Sequence, residues 1–264
     1  MILKRNRVSK AVLSSYSFLI YVILYAPIVI LVIYSFNTSK LNATWDGFTL
    51  NWYSVLVNDD NVINALQNSL IVAVSSTVIS TVIGTLAAVG MYKYKFRGKT
   101  VLDALLYVPI VIPEIVMGIS LLVFFTQAQI TLGLVTLILA HVTFSVSYVV
   151  ITVRARLAGF DKALEEAAMD LGANALQTFF KVTLPLILPG IIAGSLMALT
   201  LSLDDVIISF FVSGAACETL PLRIYSMVRM GVTPEINALS TIMLVATLSI
   251  ALISEIIQLK FNKK

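Results

Sequence analysis

The chain has 264 residues, of which 59% are hydrophobic and 12% charged, with 18 Lys/Arg against 14 Asp/Glu and a mean hydropathy of +0.96. A water-facing surface around a core needs about 25% charged residues, and disordered chains are charge-rich and poor in aliphatics, so both classes are excluded. The lone Cys217 excludes a disulfide scaffold, which leaves an all-α polytopic membrane protein.

A helix crosses a bilayer with about 20 mainly apolar residues, because lipid offers its backbone no hydrogen bonds. Six stretches qualify: Tyr16–Phe36, Leu70–Met91, Leu105–Phe125, Leu132–Val153, Ile187–Val212 and Ile236–Leu259. The first follows Lys4, Arg5, Arg7 and Lys10. Its apolar run is too long for a signal peptide and no small-residue cleavage site follows, so it reads as a retained anchor. The loop after it carries Trp45, Phe48, Trp52 and Tyr53, either a docking surface for a partner or an interfacial aromatic belt.

After the second span, Arg97-Gly98-Lys99-Thr100 contains the GKT of a phosphate loop. The first glycine of that motif would fall at Lys93 and no strand precedes it, so Lys99 reads as a flanking positive charge. The third span contains Pro109 and Pro113, which remove backbone donors and can kink or break it. Glu114 follows them, about 14 Å along a straight helix from Leu105 and therefore near mid-membrane. A carboxylate there costs roughly 2.5–3.5 kcal/mol on insertion scales, so it is expected to face a cavity or a partner. Tyr107, seven residues earlier on a nearby face, is a candidate to stack on a substrate or simply to pack. The one histidine, His141 in the fourth span, has no Cys or His companion and reads as a hydrogen-bonded interior residue with no metal site.

The connection from Arg154 to Leu186 is the one long loop expected on the inner side. Asp161 is a plausible N-cap and Gly172 suits a left-handed helix stop, with Leu164, Ala167, Ala168 and Leu171 on one face between them. Asn174 and Gln177 resemble a capping box for a second short helix, which Pro185 is expected to end. The bland alternative is an amphipathic loop on the membrane, but Asp161, Glu165, Glu166 and Asp170 suit a protein partner better than anionic headgroups. In the fifth span Ser195, Ala198, Ser202, Asp205 and Ser209 share one helical face, with Asp204 about 100° away. Small residues on a face, Gly190 and Gly194 included, indicate close helix packing, whereas Asp205 points further, to a pathway. Beyond it, Pro221–Val228 is expected to form a short helix at the outer vestibule.

Placing both termini in the cytoplasm puts fifteen of the eighteen Lys/Arg inside, leaving Lys40, Arg223 and Arg229 outside. The sequence pI of about 9.1 then reflects membrane insertion, and no nucleic-acid partner is expected. With no internal repeat, residues 1–264 read as a single permease domain.

Glu166-Ala167-Ala168, three residues, Gly172, nine residues, then Val182-Thr183-Leu184-Pro185 resembles the EAA signature of binding-protein-dependent ABC importer permeases, departing only by Val182 for Ile. The resemblance implies a six-helix, type I importer (MetI-like) permease fold. It also implies that Glu166, Ala167, Ala168, Gly172, Leu184 and Pro185 couple the spans to a cytoplasmic ATPase subunit dimer. Over nearly its whole length the chain is similar to permease subunits of spermidine/putrescine importers, through Trp45-Asp46-Gly47-Phe48-Thr49, Pro113-Glu114-Ile115-Val116-Met117, Leu201-Ser202-Leu203-Asp204-Asp205-Val206 and Leu220-Pro221-Leu222-Arg223-Ile224-Tyr225. That family often has Asp where Glu114 stands. The resemblance implies a homologous second permease subunit, an extracellular or periplasmic polyamine-binding protein, contact with membrane lipid and no cofactor. Glu114 first and Asp205 second are the expected ammonium partners, with Tyr107 beside them, and Asp204 alternatively ties the fifth span to a neighbour. The alternatives are an importer for ferric iron, sulfate or molybdate, or a non-transporting scaffold. Three intramembrane acids and no intramembrane Lys or Arg disfavour the oxyanions, and a scaffold does not need the coupling signature.

Overall fold

A computed structural model describes residues 7–39, 44–215 and 217–262. Lys4, Arg5, Lys40, Lys263 and Lys264, all counted in the charge argument, lie outside the described residues. The chain is almost wholly helical: α1 Arg7–Tyr34, α2 Asn51–Val57, α3 Asp60–Lys93, α4 Lys99–Val111, α5 Glu114–Gln127, α6 Leu134–Leu157, α7 Ala163–Asp170, α8 Ala175–Thr178, α9 Leu184–Asp204, α10 Ile207–Val212, α11 Leu220–Arg229 and α12 Pro234–Asn262. A π-helical turn, Phe179–Thr183, joins α8 to α9. Among the described residues five helical segments are long and apolar enough to cross a membrane, and six if the bent pair α4–α5 counts as one span.

The chain divides into two compact units, one of residues up to Asp59 with Ser226–Val245, the other of Asp60–Tyr225 with the segment from Ala246 onward. In the first, Asn37 organises the loop after α1: its amide donates to the Thr44 carbonyl (2.7 Å) and accepts from Asp46 N–H (3.0 Å). Trp52 donates its indole N–H to the Asn37 carbonyl at 2.7 Å, and the Tyr53 hydroxyl lies 2.8 Å from that of Ser35. These two aromatics are therefore pinned to their own loop, while Trp45 and Phe48 stay exposed.

The second unit is built on α3, α6 and α9, whose contact faces are lined by small residues. At Gly84 an added Cβ would lie 2.7 Å from Val149 Cγ1, and at Gly190 one would lie 2.8 Å from Arg156 Cβ. Such approach is available only without a side chain, so the Gly190–Gly194 pair is a packing seam of α9 against α6. Two apolar clusters fill the unit: Val72, Met117, Phe125, Leu137, Phe144 and Ile208 belong to one, Val89, Val149, Val153, Leu157 and Ile187 to the other.

Two stretches expected to be single spans are broken. Leu105–Phe125 is α4 and α5, bent by 111°. Pro113 forces the residue before it out of helical conformation, and Ile112 is indeed extended (φ −72°, ψ 134°). A depth for Glu114 counted along a straight helix therefore does not apply. Ile187–Val212 is α9 and α10, separated at an extended Asp205 (φ −67°, ψ 124°), so the common helical face ends at Ser202. Conversely, Pro185 does not end the helix it follows. It occupies the first turn of α9, where no N–H is needed, and the π turn carries the chain into it without a stop.

Candidate functional site

The two breaks meet at one cavity. α10 packs on α5, closely enough that a Cβ added at Gly118 would lie 2.6 Å from the Phe211 ring. Beside this contact opens a cavity of about 290 Å³, whose walls include Ile110 and Ile112 at the end of α4, Glu114 and Met117 of α5, Phe144 and Tyr148 of α6, and Asp204 and Asp205. Pro113 has no N–H to offer the Pro109 carbonyl, and Pro109 also lines the cavity. Glu114 opens α5, where a carboxylate also complements the N-terminal dipole.

The neighbouring aspartates differ in state. Asp205 is half-buried and accepts hydrogen bonds from Ile208 N–H (3.2 Å), Ser209 N–H (2.7 Å) and the Ser209 hydroxyl (2.7 Å). It closes the start of α10 as a cap residue does. His141 Nε2 lies 3.5 Å from Asp205 Oδ2, the oxygen that accepts both Ser209 bonds. Asp204, the last residue of α9, is exposed on the cavity wall. The sequence put Asp205 ahead of Asp204 as an ammonium partner; both line the cavity, Asp204 exposed and Asp205 bonded to the start of α10. Tyr107 is exposed on α4 and does not line the cavity, because its alignment with Glu114 assumed one unbroken helix. Tyr148 and Phe144 line it instead, from α6. Their signal was present: His141, Phe144 and Tyr148 are spaced three and four apart and share a face.

The 154–186 connection forms a second candidate site. α7 ends in a Schellman stop: Gly172 has φ +88°, its N–H donates to the Met169 carbonyl (2.9 Å) and Ala173 N–H donates to that of Ala168 (3.1 Å). Asn174 and Gln177 exchange both capping-box bonds, at 2.9 and 3.0 Å. The stop leaves Leu171 90% exposed beside exposed Glu166, Ala167 and Met169. Glu165 turns inward, 2.8 Å from Lys93 Nζ and hydrogen-bonded by Thr183. Burial alone would raise its pKa. The hydrogen bonds of Lys93 and Thr183, with the charges of Lys93 and Lys162, outweigh that and hold the carboxyl below its ordinary value. Lys162 also lies over the Tyr92 ring, 5.4 Å from its centre. Lys99, the lysine of the GKT tripeptide, donates to the Met91 carbonyl at the end of α3.

Residues 80–264 match the family described as the binding-protein-dependent transport system inner membrane component. The chain belongs to this family. It is 49% identical over 238 residues to the spermidine/putrescine transport system permease protein PotC of Escherichia coli (strain K12), covering 90% of each chain. It is 46% identical over 228 residues to the putrescine transport system permease protein PotI of the same strain, covering 84% of this chain and 81% of that one. A bacterial alginate ABC transporter, solved in complex with an alginate-bound periplasmic protein, matches with TM-score 0.76 at 18% identity over 99% of this chain and 97% of that chain. At that identity the likeness shows the fold: an all-α polytopic membrane protein of the type I ABC importer permease class.

Proposed function

We propose that this chain is a transmembrane permease subunit of an ATP-driven importer of polyamines, spermidine or putrescine, and forms half of the translocation pathway. The observation that carries the reading is the convergence of Glu114 and Asp204 on one cavity between two helix breaks, in a chain whose PotC and PotI relatives are named as polyamine permeases. A polyamine carries its charge as separated ammonium groups. Each loses hydration on entering a membrane cavity and needs a fixed acceptor in exchange, here a carboxylate. Tyr148 offers a ring face for the same charge.

In this reading the permease holds no nucleotide site, and a cytoplasmic ATPase dimer docks on α7 through Glu166, Ala167, Ala168 and the exposed turn at Gly172, with Leu184 and Pro185 at the root of α9. A homologous second subunit closes the pathway and a periplasmic binding protein delivers substrate. The chain then lies in the cytoplasmic membrane with both termini inside. Putrescine and spermidine uptake by the reconstituted complex tests it. Glu114→Gln and Asp204→Asn are each expected to lower uptake about tenfold, the scale of one charge-assisted hydrogen bond. Full uptake by both variants would remove the two acids from the pathway.

A further inference from the structure

The break between α9 and α10 is spanned by one ring. His141, fully buried on α6, places Nδ1 2.6 Å from the Ser202 hydroxyl, before the break, and Nε2 3.1 Å from the Ser209 hydroxyl, after it. Ser209 gives its proton to Asp205, so it accepts from His141, which fixes the Nε2–H form toward α10 and leaves Nδ1 to face Ser202. Two neighbouring side-chain hydrogen bonds reach one side only. Ser76 meets Ser202 at 3.3 Å, and Thr136 Oγ1 lies 2.7 Å from the Val212 carbonyl at the far end of α10. The ring therefore links the two sides of the break by hydrogen bonds, and Phe144 packs against it with ring centres 5.3 Å apart. With Asp205 turned to α10 and to His141, its neighbour Asp204 is left on the cavity wall.

We propose that His141 is a positioning residue for the cavity: by bonding Ser202 and Ser209 across the break it holds Asp205 inward and so keeps Asp204 presented to the cation. This rests on reading Asp204 as a substrate contact. A leucine at 141 fills a similar volume but holds neither serine, whereas a glutamine carries a donor and an acceptor on one planar group and can serve both.

The test uses the complete transporter in proteoliposomes and counts putrescine molecules imported per ATP hydrolysed, a ratio that does not change merely because less complex assembles. His141→Leu is expected to lower the ratio about tenfold and His141→Gln to keep it within about twofold, the difference being one hydrogen-bond-sized interaction. Adding His141→Leu to Asp204→Asn is expected to lower the ratio no further than Asp204→Asn alone. An unchanged ratio in His141→Leu, no rescue by His141→Gln, or additive losses would overturn the proposal. If Asp204→Asn alone leaves the ratio unchanged, the cavity reading itself fails. Should His141→Leu not assemble, Ser209→Ala gives the same reading, with a lowered ratio expected and an unchanged one decisive against.

Discussion

Asp204 and Asp205 differ by one position and have opposite fates, which gives them separable signatures. Removing the Asp205 carboxylate strips the start of α10 of its acceptor and leaves the Ser209 hydroxyl and N–H without the partner they donate to. Asp205→Ala is therefore expected to destabilise the protein by ~2 kcal/mol, a lost cap plus an unsatisfied buried donor. Asp204→Ala, at an exposed position, is expected to stay within about 0.5 kcal/mol. Thermal unfolding of the detergent-purified chain checks both, and equal losses would contradict the division of roles. The sequence could not assign these fates, because the partner that draws Asp205 inward is His141, sixty-odd residues away, and helical phase was counted across a break. Tyr148 and Tyr107 part for the same reason. Tyr148→Ala is expected to reduce putrescine uptake severalfold while Tyr148→Phe is tolerated, since the ring face supplies the attraction, and Tyr107→Ala is expected to leave uptake unchanged.

At the scale of elements, what was legible was whatever is encoded within four residues. Gly172 as a left-handed stop and the Asn174–Gln177 box are local exchanges of side chain and backbone, and both are present as read. The inward pin of α7 was not legible, because Glu165 finds Lys93 on α3 and Thr183 beyond the π turn. The acids of this loop read alike in sequence, and only packing separates Glu165, which is held, from Glu166, which is displayed. The pin has a pH dependence of definite sign. The folded-state pKa of Glu165 is lowered, so its contribution is fully present above the ordinary glutamate range and is lost as pH falls through the lowered folded value. Hydrogen exchange of the 163–170 amides, corrected for intrinsic rates, is expected to be unchanged from neutral pH down to that range and to accelerate below it. Glu165→Gln is expected to show the faster exchange at neutral pH, roughly fivefold for ~1 kcal/mol. A variant exchanging at the parent rate would mean that the pin holds nothing.

For the whole molecule the deciding quantity is where few charges fall. Fifteen of eighteen Lys/Arg lie in segments that share one side if the chain crosses six times, and the six crossings require α4 and α5 to be one broken span. Were that pair to dip in and return on the same side, five crossings would remain, the termini would face opposite sides and the basic segments would be divided across the bilayer. The bend of 111° fits either geometry, and charge separates them: the stretch from the end of α3 to the start of α4 carries Lys93, Lys95, Arg97 and Lys99, and the last turn of α6 carries Arg154 and Arg156. A broken but complete crossing by α4–α5, followed by α6 returning, keeps both clusters on the same side, as the positive-inside bias demands. Single cysteines at Lys95 and at Lys162, in a Cys217→Ser background, are therefore expected both to resist an impermeant maleimide in intact spheroplasts and to react after permeabilisation. A cysteine at Asp59, before α3, is expected to react in both. Labelling of position 162 but not 95 in intact spheroplasts would make α4–α5 a re-entrant pair and would overturn the six-span arrangement.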